Sequence, residues 1–172
     1  MIHFTSALAD FNNSLWGYYI PVPTETADEI LSRQEDRRVV CTLNGKQKFQ
    51  CALMPNGEAG YYILVNKRIR DQLKLKQGDT VNVQLEKDES EYGLPMPDEL
   101  AEVLDTDPEG DRLFHDLTPG KQRNLLYIVG NVKSTDLRIH RALVVVEHLK
   151  DQGGKIDFKL LQQELKASNR RF

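Results

Sequence analysis

Val39-Val40-Cys41-Thr42-Leu43, then Asn44-Gly45, then Lys46-Gln47-Lys48-Phe49-Gln50-Cys51-Ala52-Leu53 is the stretch that decides the first half of the chain. Val39, Cys41 and Leu43 alternate with Val40 and Thr42, while Phe49, Cys51 and Leu53 alternate with Gln50 and Ala52. Alternation at period two marks a half-buried strand, and Asn-Gly between two such runs marks a hairpin. Parity then sets the register. A two-residue Asn44-Gly45 loop pairs Leu43 with Lys46 and Cys41 with Lys48, which puts lysines on the apolar face. A loop of odd length pairs odd positions with odd ones and keeps Cys41 and Cys51 on one buried face. The odd loop is expected, with both cysteines as core thiols rather than a redox pair.

The flanking segments are of the same kind. Phe4 to Leu8, Trp16 to Val22, Tyr61 to Val65 and the alternating Val81, Val83 and Leu85 are short and β-rich. Between them lie a short helix through Ala27, Ile30 and Leu31 and another over Lys67 to Leu73. Thr24 or Thr26 can cap the first, with Glu29 completing a capping box. Pro55-Asn56-Gly57-Glu58 and Lys76-Gln77-Gly78-Asp79 are turns, with Gly78 and Asp79 structural. Short strands with no long helix between them predict a small closed β-barrel.

The texture changes between Lys87 and Pro97, a charged run followed by Gly93, Pro95 and Pro97. The boundary is placed here, giving a barrel domain over 1–90 and a helical domain over 91–172. The expected class is α+β. Beyond the boundary the period is helical. Pro97 and Pro108 open two helices. Thr118-Pro119 reads as N-cap and first position of a third. Ser134 or Thr135 caps a fourth, with Ile139, Leu143, Val146 and Leu149 in phase, and Gly153-Gly154 ends it. A last helix holds Phe158, Leu161 and Leu165.

Composition narrows the function. The 172 residues are 40% hydrophobic and 28% charged, with a net charge of −3. A nucleic-acid binder usually carries a basic excess, which the chain as a whole lacks. The longest apolar runs, Leu125 to Val129 and Ala142 to Val146, fall far short of the ~20 residues that span a bilayer. Met1 to Leu8 has no signal-peptide pattern, so a cytoplasmic protein with reduced thiols is expected. No His-Glu-x-x-His, Cys-x-x-Cys, Gly-x-Ser-x-Gly, P-loop or Gly-x-Gly-x-x-Gly occurs. No catalytic residue, metal or cofactor is therefore expected.

Charge is uneven. Residues 93–120 hold eight acids and the single base Arg112, and residues 121–172 hold eleven bases and five acids. The two segments can attract each other in the folded domain, or the contrast can merely solubilise opposite faces, and the second is the favoured expectation. Around the turn before the fourth helix gather Lys133, Arg138, His140 and Arg141, with Arg123 one helix back. Arg138 and Arg141 are three apart, on one helix face. Guanidinium forks suit phosphate or carboxylate. This set is the candidate ligand site for an anion or an acidic partner; salt bridges to the acidic segment are the competing reading.

Two resemblances extend this. Val39 to Gly45, Ala52-Leu53-Met54-Pro55 with Gly60, Leu64 to Arg70 and Gln77 to Val81 resemble an uncharacterised bacterial domain family with a double-split β-barrel fold. The second half resembles the YdeI/OmpD-associated, bacteriocin-protection family. It does so through Pro97-Asp98-Glu99-Leu100, Phe114, Leu117-Thr118-Pro119-Gly120, Tyr127-Ile128, Lys133, Asp136, Arg138 and Arg141. The family pattern has alanine, glutamate and threonine where this chain has Val132, Asp136 and Leu137. The resemblance implies tolerance of bacteriocins or antimicrobial peptides through a non-enzymatic binding module, with an unidentified ligand or protein partner. An alternative comes from Ile69 to Val83, which is similar to the barrels of AbrB-type regulators and MazE-type antitoxins that bind DNA as dimers. Lys67, Arg68, Arg70, Lys74 and Lys76 would serve it. Residues 1–92 nevertheless hold eleven bases and thirteen acids, which disfavours nucleic acid. A monomer or a dimer is compatible with these patterns, and an enzyme of unrecognised type is the third reading.

Overall fold

A computed structural model describes residues 1–11, 17–57 and 60–168, so Trp16 and Glu58 lie outside the described residues. The chain divides into two compact units, Met1–Glu89 and Ser90–Phe172.

The first unit contains strands β1 (Ile2–Ala7), β2 (Ala9–Asp10), β3 (Tyr18–Val22), β4 (Arg38–Leu43), β5 (Gln47–Ala52), β6 (Met54–Pro55), β7 (Tyr61–Val65) and β8 (Thr80–Lys87). Helix α1 (Thr24–Leu31) follows β3, and α2 (Lys67–Leu73) follows β7. The hairpin loop is the odd one: Leu43 pairs with Gln47, Cys41 with Phe49 and Val39 with Cys51. Asn44 and Gly45 take left-handed φ values of 51° and 64°, which these two residue types tolerate best. Val39, Cys41, Leu43, Val81, Val83 and Leu85 point inward and are buried. Both cysteines are free. Contact with Cys51, together with burial, pushes the Cys41 thiol far above the usual range, so it is a poor nucleophile.

The strands form two four-stranded antiparallel sheets, β1-β8-β4-β5 and β2-β3-β7-β6, and not the closed barrel that their length suggests. The chain changes sheet at Leu8, between β1 and β2, and at Leu53, between β5 and β6. Both side chains are buried in the shared core. At these corners the β1–β8 and β4–β5 registers run on by one residue. Leu8 donates its N–H to the Asp79 carbonyl at 2.9 Å and accepts from Gly78 N–H at 2.8 Å, and Leu53 donates to the Arg37 carbonyl at 2.9 Å. The expected capping box on α1 does not form either. Pro23 occupies the N-cap, the helix starts at Thr24, and Thr26 falls inside the first turn. Glu29 pairs with Arg33 instead.

The second unit is helical: α3 (Asp98–Thr106), α4 (Pro108–His115), α5 (Pro119–Gly130), α6 (Thr135–Asp151) and α7 (Phe158–Ser168). Thr118-Pro119 does start α5. Ser134 caps α6, its side chain accepting from Leu137 N–H. Gly153 and Gly154 follow α6 at φ values of 57° and 81°. Helix α6 is central and packs on α3, α4, α5 and α7. Its buried stripe runs through Ala142, Val145, Val146, His148 and Leu149. Ile139 and Leu143, expected inside, are 42% and 48% exposed. The apolar run from Ala142 to Val146 fits more than one helical phase, and the packing of neighbouring helices selects among them. Gly110 of α4 contributes to that choice, since a Cβ there would overlap Val146 Cγ1. Among the described residues no helix is long and apolar enough to cross a membrane.

Candidate functional site

The basic residues singled out from the sequence meet at the α5–α6 turn, residues 131–134, but they do different things there. Arg138 lies in the first turn of α6 and reaches back. Its Nε–H donates to Glu99 Oε1 at 2.7 Å, one terminal nitrogen donates to the Val132 and Lys133 carbonyls at 3.1 Å each, and the other donates to Thr135 Oγ1 at 3.1 Å. Four of the five guanidinium N–H groups are thereby engaged. The pair is well covered, with 24% of the Arg138 side chain and 12% of the Glu99 side chain exposed.

One turn on, Arg141 reaches the end of α5. One of its terminal nitrogens donates to the Ile128 carbonyl and to Asn131 Oδ1, both at 2.7 Å. A cation at this position suits the unpaired carbonyls of a helix C-terminus. Among the described residues no carboxylate pairs with Arg141, and its buried Nε has no hydrogen-bond partner. Among the described residues the second terminal nitrogen has no hydrogen-bond partner. Lys133 is exposed at the tip of the turn, and Tyr127, on α5, is 62% exposed. His140 is half-buried on α6. Arg123 stands ~12 Å back along α5, and its guanidinium reaches the Tyr92 carbonyl at 3.5 Å. The structure therefore brings Lys133, Arg138 and Arg141 to one turn and leaves Arg123 apart from it. Sequence reading missed Glu99, Asn131 and Thr135 as members of the cluster. Only the acid–base asymmetry hinted at Glu99.

Among the described residues that asymmetry is expressed as two cross-links between the acidic and basic segments. The first is Arg138–Glu99. The second is Lys150, whose Nζ lies 2.7 Å from Asp107 and 2.6 Å from Glu147. A hydrogen bond from its own backbone holds the Glu99 carboxyl below its ordinary 4.5, and Arg138 adds to this against the opposing effect of burial. The Lys150 ammonium, and then the Gly110 amide, hold Asp107 below its ordinary 3.8. Carboxyls lowered in the fold add stability above the ordinary range, and this is lost as the pH falls through the lowered values. The melting temperature should therefore decline on acidification below about pH 4.5. The decline should be shallower in the Glu99→Gln/Asp107→Asn double variant; an identical slope in the two proteins would refute the assignment.

A second polar cluster joins α6 to the last helix. His148 is buried, its Nδ1 lies 2.7 Å from Glu164 Oε2, and its Nε2 accepts from Asp157 N–H at 3.2 Å. With Nε2 accepting, the proton sits on Nδ1 and is donated to the carboxylate. Both ring nitrogens are used in fastening α7. Among the described residues no group of three or more His, Cys, Asp or Glu side chains could hold a metal ion.

Comparison with known families divides the chain where its texture changes. Residues 4–85 match the model of a domain of unknown function, DUF1905. Residues 94–152 match the family described as Bacteriocin-protection, YdeI or OmpD-Associated. No curated protein matches the chain.

Proposed function

We propose, from the premise that this chain joins a DUF1905 domain to a bacteriocin-protection (YdeI or OmpD-associated) domain, that its helical half is a non-enzymatic binding module acting in tolerance of bacteriocins. It takes an anionic group, or an acidic partner, at the α5–α6 turn. Arg141 carries this reading: a guanidinium without a carboxylate partner among the described residues, anchored through one terminal nitrogen and with donors left over on the other. An anchored fork of this kind recognises carboxylate or phosphate at low entropic cost. Lys133 supplies a second positive charge at the tip of the turn. Arg138, neutralised by Glu99, positions the turn and is not itself a contact.

The test titrates the full chain against a fluorescein-labelled hexaglutamate peptide by anisotropy, with inorganic phosphate as competitor. Binding that weakens with salt is expected. Lys133→Ala should weaken it without changing the melting temperature, because that side chain is exposed and makes no ion pair among the described residues. Arg141→Ala should abolish it at a stability cost of ~1–2 kcal/mol for the two lost hydrogen bonds. In a bacteriocin-sensitive bacterium, expression of the chain should raise the tolerated bacteriocin dose, and the Lys133→Ala/Arg141→Ala double variant should not. Equal binding by wild type and double variant would overturn the reading. So would tight, salt-sensitive binding to duplex DNA in place of the peptide, which would favour a regulator using Lys67, Arg68, Lys74 and Lys76.

A further inference from the structure

The outer face of the β1-β8-β4-β5 sheet carries a cleft of 360 Å³ with His3, Thr5, Thr42, Asn82 and Gln84 in its lining, completed by Phe4, Gly45 and Val83. That volume lies near the lower end of the ~300–1,000 Å³ typical of small-molecule sites. The register explains the grouping. Gln84 on β8 stands opposite His3 on β1 and opposite Thr42 on β4, while Asn82 stands opposite Thr5. Val83, Leu85 and Leu43 take the alternate positions and face the core, so these five side chains share the outward face. The hairpin tip is hooked to β8 beside them. Asn44 N–H donates to the Asn82 carbonyl, and Asn44 Oδ1 accepts from Asn82 N–H, both at 2.8 Å.

The chemistry of this face is unusual for a chain in which 28% of residues are charged. None of the lining residues carries a fixed charge. The neighbouring Lys48 and Glu86 pair with each other at 2.6 Å. No hydrogen bond or ion pair with a described residue engages the His3, Thr42 or Gln84 side chains, and the Thr5–Asn82 contact is long, at 3.4 Å. The cleft thus offers an imidazole, two hydroxyls and two carboxamides in adjacent positions. Each carboxamide presents a donor and an acceptor side by side, which matches neighbouring hydroxyls on a ligand. A charged ligand would find no counter-charge among the lining residues, while Phe4 and Val83 add apolar wall beside the polar groups.

We infer that this cleft binds a small, neutral, polyhydroxylated ligand of the size of a mono- or disaccharide. Affinity is expected in the millimolar range, because each neutral hydrogen bond replaces one made with water. The test is a nuclear magnetic resonance titration of the isotope-labelled full chain with maltose and with N-acetylglucosamine. Saturating shifts are expected in the Asn82 and Gln84 side-chain amides and the His3 ring for at least one of the two sugars. Thr42→Val with Gln84→Ala removes two polar groups from an outward face while keeping the core, so the variant's spectrum should stay folded and its affinity should fall about tenfold or more. Absence of saturating shifts with both sugars up to their solubility would overturn the inference. So would equal affinity in the folded double variant.

Discussion

Arg138→Ala is expected to lower the melting temperature of the helical unit by roughly 10–20 °C, followed by circular dichroism at 222 nm. The truncation removes four donors at once. Glu99 keeps its carboxylate under 12% exposure with no cation beside it, and the Val132 and Lys133 carbonyls lose their partner. Stranding one member of a largely covered pair, with part of a turn, costs about 2–3 kcal/mol. The unit has few ways to recover, since Glu99 sits in the first turn of α3 and the carbonyls belong to the turn entering α6. Arg138→Lys should be intermediate: an ammonium keeps the charge at Glu99 but cannot reach four acceptors. A cycle combining Arg138→Ala with Glu99→Ala should return a coupling of ~1 kcal/mol or more. If Arg138→Ala melts within a degree or two of the wild type while peptide binding is lost, Arg138 belongs with Arg141 in the contact set and its positioning role is refuted.

The contrast between these two arginines shows where sequence reading ends. Arg138 and Arg141 are three residues apart and look equivalent as a pair. What separates them is Glu99, 39 positions away, and a contact of that range depends on how α3 and α6 pack. The opposite charges of the two segments left attraction as the less favoured of two readings and gave no sign of which acid meets which base. The hairpin register was legible because a strand has only two faces and the even loop would bury lysines. Helix starts at Pro108, Pro119 and Ser134 were legible because their signals are local. The two sheet corners were not. Leu8 and Leu53 look like ordinary inward strand residues, and only the strand pairings on either side show that the chain changes sheet there. The phase of α6 was legible at Val146 and Leu149 but not at Ile139 and Leu143, since a continuous apolar run carries no period. His148 gave no sign of its role, because Glu164 and Asp157 come from beyond the helix that carries it.

That last cluster supports the other large effect. His148→Ala should destabilise the helical unit by about 2–4 kcal/mol, with the loss concentrated in α7. The ring is 2% exposed, so its removal leaves a cavity. It also leaves Asp157 N–H without its acceptor and Glu164 without its donor, at the two points that fasten α7 to α6. Leu161, fully buried, is the apolar part of the same attachment. Helix α7 also lies beyond residue 152, where the bacteriocin-protection match ends, and among its described residues only Leu161 is buried in the core that α3 to α6 otherwise build. Hydrogen exchange should therefore show α7 amides losing protection in the variant while the buried stripe of α6 keeps most of its own. Glu164→Gln should be nearly neutral, because a carboxamide oxygen can still accept the Nδ1 proton. Uniform loss of protection across the unit would mean that α7 is integral to the core and not an attached element. A melting temperature unchanged by His148→Ala would mean that the polar clasp contributes nothing and that Leu161 alone holds the helix.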